Sequence, residues 1–296
     1  AEYNGIMSQH LARATASAHP NIAFIKYWGQ ADTQLNLPAN PSLSMNLDRL
    51  HTVTTVTFSA AQAEDEVIIN DAPATPEAAR RVTAHLDRLR ALAGTNLRAQ
   101  VLSRNDFPAG VGIASSASAF AALTMAGAAA LHLDLCVAQL WALARLGSGS
   151  ASRSIPAGFV LWEAGHNHET SIAHSIAPPI YWALRDCIAL VSQTHKQISS
   201  AQGHTLAPTS PLHAARVAAA AAQVEICRAA ILQRDLAMLG RAMEADALWM
   251  HAVMMSSQPP LYYWSSASLD IMQAVVGWRA EGLEVYHTTD AGPNVH

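Results

Sequence analysis

The stretch that most constrains the fold is Pro108-Ala109-Gly110-Val111-Gly112-Ile113-Ala114-Ser115-Ser116-Ala117-Ser118, which runs straight into an Ala-rich segment ending near Leu131. Two glycines let the backbone turn and expose consecutive N–H groups, and the helix that follows adds its positive dipole end. Such a loop can hold a polyphosphate without a dedicated basic residue. Residues 97–102 read as the strand that delivers the chain to it, so the local order is strand, glycine loop, helix. Neither common phosphate motif fits: the Walker lysine is missing, and Ser115 stands where a dinucleotide fingerprint requires its third glycine. A glycine pair on its own is more simply a turn and a helix cap, so the rest of the chain has to decide.

With 296 residues the chain can build two lobes that share a cleft. It is 51% hydrophobic and 14% charged, and a net charge of −4 gives no electrostatic case for binding nucleic acid. Cys136, Cys187 and Cys227 are odd in number and far apart, which argues against a disulfide framework or a zinc site and favours the reducing cytoplasm. Residues 1–10 lack the basic and apolar regions of a secretory signal. The uncharged run 107–131 is mostly Ala and Gly, which suits a packed buried helix better than a membrane span. His166 and His168 form a pair with no third ligand at recognisable spacing, so no metal site is assigned.

Strands are expected at 11–18, 43–47, 51–58 and 66–69, and a helix from the Thr75-Pro76 start to the Gly94 stop. Beyond the glycine loop and its helix come a helix over 137–146, a Gly-Ser loop over 147–154 and a strand over 159–163. The composition changes near Ala164, dividing an N-terminal lobe (1–163) from a C-terminal lobe (164–296) of an α+β protein. The second lobe is expected to hold a strand at 188–192, a polar mobile segment over 196–211, helices over 212–233, 236–250 and 268–281, and a last strand running into Thr289-Asp290-Ala291-Gly292-Pro293-Asn294.

Four stretches together resemble the mevalonate diphosphate decarboxylases, a branch of the GHMP superfamily of small-molecule kinases. They are Ala18-His19-Pro20-Asn21-Ile22-Ala23-Phe24-Ile25-Lys26-Tyr27-Trp28-Gly29, the glycine loop, the segment from Gly147 to Ser154, and the motif around Asp290. The resemblance implies a two-lobed GHMP kinase-like fold. Its N-terminal lobe would carry a left-handed βαβ phosphate-loop unit of ribosomal-protein type, and its C-terminal lobe would be ferredoxin-like. It also implies an ATP- and Mg²⁺-dependent decarboxylase, usually a homodimer, that makes an isopentenyl product from a phosphorylated mevalonate. The chemistry requires a phosphorylated tertiary hydroxyl, because hydroxide leaves poorly and the electrons released by CO₂ loss need somewhere to go.

Carried over by the resemblance, Pro108, Gly110, Gly112, Ala114, Ser115, Ser116 and Ser118 bind ATP. Asp290 faces the tertiary hydroxyl, Arg153 grips the substrate carboxylate with its planar fork, Asn21 supports that arginine, and Lys26 lies in the catalytic group. Tyr27, Ser148, Gly149, Ser150, Ser200, Gln30 and His204 line the substrate site. Two departures stand out. The family usually has Lys and a second basic residue before Asp32, where this chain has Gln30 and Ala31, and Arg or Thr and Met where Ala201 and His204 stand. Against the family pattern the pocket is short of donors for a second phosphate, so mevalonate 5-phosphate is the expected substrate. Three other readings remain open: a decarboxylase of the 5-diphosphate, a kinase that stops after phosphoryl transfer, and a non-catalytic binding protein. Relatives continue for another helix and strand beyond the Asp290 motif, so the C-terminal lobe of a sequence that stops at His296 is expected to be incomplete.

Overall fold

The computed structural model describes residues 12–107, 115–192 and 198–296. Pro108, Gly110, Gly112 and Ala114 of the glycine loop lie outside them. Alternating small, β-branched and polar residues give the first sheet one inward face. In it β6 (Thr52–Ser59) pairs antiparallel with β1 (Ala12–Ala18) on one side and with β9 (Arg98–Asn105), the central strand, on the other. β7 (Glu66–Ile69) adds parallel to β9, and Asn70 and Asp71, both at positive φ, turn the chain back into the short edge strand β8 (Ala72–Pro73).

The helix α1 (Pro76–Ala93) starts where Thr75 caps the Ala78 N–H and ends at Gly94 in the left-handed conformation. The Ala-rich α2 (Ser115–Ala130) has no polar face because it is buried nearly all round, and its small side chains let it lie close over β1 and β6. α3 (Val137–Gly147) follows, then a 3₁₀ turn over Gly149–Ser154. Val56, Phe58, Leu86, Leu89, Val101 and Phe120 form the core between this sheet and its helices.

A second sheet has the order β11 (Ala173–Ala177), β10 (Phe159–Trp162), β5 (Ser42–Asn46), β2 (Asn21–Ile25), all antiparallel. Between β2 and β5 the chain makes the small hairpin β3 (Gln30–Asp32) and β4 (Leu37–Pro38). The helix pair α5 (His213–Gln233) and α6 (Leu236–Met255) covers this sheet, burying Phe24, Ile25, Leu43, Ile231 and Leu239.

Three regions differ from expectation. Residues 198–211 are not a loose segment: Ser199 and Gln202 form a reciprocal capping box that starts α4 (Ser200–Leu206). That signal is present in the sequence. Of the expected strands, 188–192 contributes the Ala189–Val295 bridge and the segment before Asp290 the paired Thr288–His296 backbone hydrogen bonds; the Asn294 side chain takes the Val191 and Ser192 N–H groups that a ladder would use. Finally β2, fully buried and therefore without alternation, is a strand that periodicity does not reveal. The last helix is α7 (Ser266–Ala280).

Candidate active site

Lys26 directly follows β2, and three side chains from other parts of the chain pin its peptide. Its N–H donates to Asp246 Oδ2 at 2.6 Å, and its carbonyl accepts from Asn40 Nδ2 and Arg216 Nη2, both at 2.9 Å. Arg216 Nη2 also donates to both Asp246 carboxylate oxygens at 3.1 Å. Both residues are buried, so each charge depends on the other, and removing one member of such a pair costs about 3–5 kcal/mol.

Anchored in this way, Lys26 extends Nζ to Asp290 Oδ1 at 2.7 Å. The lysine side chain is 2% exposed and that of Asp290 24%, so the carboxylate is the member of the pair that meets the cleft. Burial works to raise the Asp290 carboxyl, but the Lys26 charge and hydrogen bond, with His296 and Arg153, outweigh it and hold the group below the usual carboxylate range. Asp290 is therefore ionised at neutral pH. Behind it, His251 Nε2 lies 3.2 Å from the Asp290 carbonyl oxygen and 3.0 Å from Thr289 Oγ1, with Trp264 stacked on its ring. Burial, reinforced by the Lys26 charge, pushes His251 down to about 3, so it braces this motif as a neutral ring.

Arg153 comes from the 3₁₀ turn. Its Nε donates to Asn21 Oδ1 at 3.2 Å and its Nη1 to Ser42 Oγ at 2.7 Å, while Asn21 is itself fixed by donating to Ser154 Oγ at 2.8 Å. Nη2 has no partner among the described residues, which leaves that side of the fork for a ligand. Burial lowers Arg153 to about 10, with Asp290 and Tyr27 acting the other way, and it remains a cation at neutral pH.

Lys26, Asp290 and Arg153 share a cleft of about 270 Å³ with Tyr27, Gln30, Ser115, Ser116, Ser148, Gly149, Ser150, Ser200 and His204. Asn21 stands behind it, and Ser118 faces the lobe interior, bonded to Thr52 Oγ1 at 2.6 Å. The serines form a row: Ser116 Oγ is 3.2 Å from Ser148 Oγ, which is 3.3 Å from Ser150 Oγ. With the N-terminus of α2 and the Arg81 guanidinium lining the same cleft, these hydroxyls are a donor set suited to phosphate groups. Oxygen ligands also suit Mg²⁺, which binds through phosphates and few protein groups. Among the described residues no cluster of three His, Cys, Asp or Glu offers a metal site of its own.

The other end of the cleft is neutral. Tyr27 lies over Gly149, where a Cβ would stand 2.7 Å from its ring, and His204 stacks on Tyr27 with centroids 4.1 Å apart. His204 Nδ1 accepts the Gly29 N–H at 3.1 Å, which places the proton of the neutral ring on Nε2. Gly203 lets α4 approach Trp28, whose ring a Cβ would meet at 2.3 Å. Sequence reasoning missed Asp246, Arg216, Asn40, His251, Arg81 and Asn36. Their sequence separations of up to 220 residues from their partners leave no local signal.

An α+β molecule in which a serine-lined phosphate site faces a lysine-held carboxylate and a buried arginine has the layout of a GHMP-type enzyme acting on a small carboxylic acid. The family model described as diphosphomevalonate decarboxylase-like N-terminal domain matches residues 18–173, and that described as mevalonate 5-diphosphate decarboxylase C-terminal domain matches residues 187–296. Diphosphomevalonate decarboxylase of Aspergillus fumigatus is 38% identical over 95% of this chain and 75% of its own length. Phosphomevalonate decarboxylase of Haloferax volcanii is 34% identical over 96% and 87%. Among solved structures, the Enterococcus faecalis mevalonate diphosphate decarboxylase superposes with a TM-score of 0.89 at 38% identity, covering 97% of this chain and 88% of that one. One described as MDDEF in complex with MVAPP, AMPPCP and magnesium gives 0.90 at the same identity and coverage. The chain belongs to the mevalonate diphosphate decarboxylase family, whose members are ATP-dependent decarboxylases of phosphorylated mevalonates.

Proposed function

We propose that this chain converts mevalonate 5-phosphate to isopentenyl phosphate, releasing ADP, phosphate and CO₂. The observation that carries the choice of substrate is the end of the cleft where Gln30, Ala201 and His204 stand without a charge; of the cations lining the cleft, Lys26 and Arg153 are committed to the reacting end and Arg81 is assigned to ATP. A hydrogen bond to a charged group contributes about 1.5–3 kcal/mol net, so two missing charged donors disfavour a diphosphate by on the order of a hundredfold or more. A single phosphate can still meet the hydroxyls of Ser148, Ser150 and Ser200. The Haloferax relative carries the phosphomevalonate name; the Aspergillus and most other relatives favour the 5-diphosphate as the second reading.

In this reading Ser115, Ser116, the α2 N-terminus and Arg81 hold MgATP, and ATP supplies the phosphoryl group that turns the tertiary oxygen into a leaving group. Asp290, kept anionic by Lys26, orients the tertiary hydroxyl and takes its proton as that oxygen becomes a nucleophile. Arg153 holds the substrate carboxylate on its free Nη2 side, fixing the C–CO₂ bond relative to the departing oxygen. As phosphate leaves, the electrons of that bond form the alkene. The division into an ATP-binding lobe, 1–163, and a lobe carrying Asp290, 164–296, belongs to this proposal, as do a homodimer and a cytoplasmic location. No helix among the described residues is long and apolar enough to cross a membrane.

The test is product analysis with mevalonate 5-phosphate and MgATP. ADP, phosphate and CO₂ are expected in equal amounts; accumulation of a 3-phosphorylated acid without CO₂ would make the protein a kinase.

A further inference from the structure

The neutral end of the cleft contains a run of hydrogen bonds whose directions are all determined. The last turn of α3 leaves the Arg145 and Leu146 carbonyls without helical partners, and Asn36 Nδ2 donates to both, at 2.9 and 3.1 Å. Both amide protons of Asn36 are thereby used, so the group it turns toward Gln30 must be its Oδ1. Gln30 must then present its NH₂, and Nε2 donates to Asn36 Oδ1 at 2.7 Å and to Tyr27 Oη at 3.1 Å. Tyr27 Oη, already accepting, has its own proton to give, and the phenol has no other partner among the described residues. Asn36 holds a left-handed conformation with φ +50°, which asparagine tolerates well, and Arg145 Nε steadies the same loop by donating to Leu35 O at 3.1 Å.

We infer that Asn36 and Gln30 act as positioning residues that fix the Tyr27 hydroxyl as a hydrogen-bond donor to the 5-phosphate of the substrate. The inference rests on the reading of the cleft as a phosphomevalonate site. If the Gln30 amide were reversed, Tyr27 would donate to it and turn a lone pair toward the phosphate; the α3 carbonyls, acting through Asn36, forbid that arrangement. Burial also raises the Tyr27 phenol far above its ordinary range, so it keeps its proton at neutral pH. A neutral residue thereby supplies phosphate recognition without adding the charge that a second phosphate would need.

The experiment is a double-mutant cycle read by calorimetric binding of mevalonate 5-phosphate in the absence of nucleotide. In the otherwise wild-type protein, Tyr27→Phe is expected to weaken binding about tenfold or more. Gln30→Glu should weaken it at least as much, because a carboxylate accepts the Tyr27 proton, and Tyr27→Phe should then cost nothing further. Asn36→Ala, which frees the Gln30 amide to reverse, should weaken binding a few-fold in the presence of Tyr27 and not at all in the Tyr27→Phe background. If Asn36→Ala fails to fold, the isosteric Gln30→Glu arm decides alone. Additive losses in the cycle, an undiminished affinity in Tyr27→Phe, or no binding by the wild type would overturn the relay. Non-additive losses in a protein that releases no CO₂ would leave the relay standing and remove the decarboxylase assignment instead.

Discussion

The two ends of the cleft are built on opposite principles. At the reacting end the acting groups are charged: Lys26 is paired with the Asp290 carboxylate, its peptide is held by the buried Arg216–Asp246 pair, and Arg153 is held by Asn21 and Ser42. At the phosphate end the groups are neutral, and what holds them is the direction of hydrogen bonds that begin at the carbonyls of α3. A charge attracts its ligand from any approach, whereas a neutral hydroxyl helps only when its proton points the right way. The reacting end therefore spends its structure on keeping ions paired in a dry site, and the phosphate end on orientation.

Mutations at the first end should have the larger effects. Asp290→Asn removes the carboxylate proposed as the base and leaves Lys26 facing an uncharged amide; turnover is expected to fall about 10²-fold or more while ATP still binds. Near-normal turnover would take Asp290 out of the mechanism. Arg153→Lys keeps the charge but loses the planar fork that Asn21 and Ser42 position, and kcat/KM should fall about tenfold or more. An unchanged kcat/KM would show that carboxylate binding does not depend on the fork.

A smaller effect concerns stability and pH. Burial pushes both His251, behind Asp290, and His85, in the core of the first sheet, down to about 3, far below their ordinary value. As pH falls below about 6.5 these histidines take up protons only in the unfolded chain, so stability that is complete above that value is lost progressively toward pH 3. By pH 5 each should have cost on the order of 2 kcal/mol. Asp290, also held low, adds to the loss once pH enters the carboxylate range. Urea unfolding at pH 7.5, 6.0 and 5.0 should give falling midpoints, and His85→Gln, which can still bond Thr124, should flatten the decline. A midpoint that stays level from 7.5 to 5.0 would contradict the burial argument.

The charged end was the more legible in sequence. Lys26, Arg153 and Asp290 each lie in a stretch with its own pattern, and the structure brings them into one cleft although Lys26 and Asp290 are separated by 264 positions. The groups that hold them were not legible. Asp246 sits in an ordinary-looking helix, and nothing nearby in the chain indicates that its carboxylate receives the Lys26 N–H. Asn36 reads as a turn residue, because its value lies in which carbonyls it meets. The Ser199–Gln202 capping box was a local signal and could have been read; the polar composition of the surrounding residues hid it. Asn294 is the converse, a residue of a legible motif whose side chain also ends a strand pairing more than 100 positions away in the chain.

The account stands on the claim that the phosphate end recognises one phosphate. Its most direct test is kcat/KM measured side by side for mevalonate 5-phosphate and mevalonate 5-diphosphate on the wild type and on Gln30→Lys with Ala201→Arg. The expected result is a wild-type preference for the monophosphate of on the order of a hundredfold, with the double substitution moving it toward the diphosphate. A wild type that already prefers the diphosphate would contradict the reading of Gln30, Ala201 and the neutral end of the cleft, and would leave the family assignment untouched.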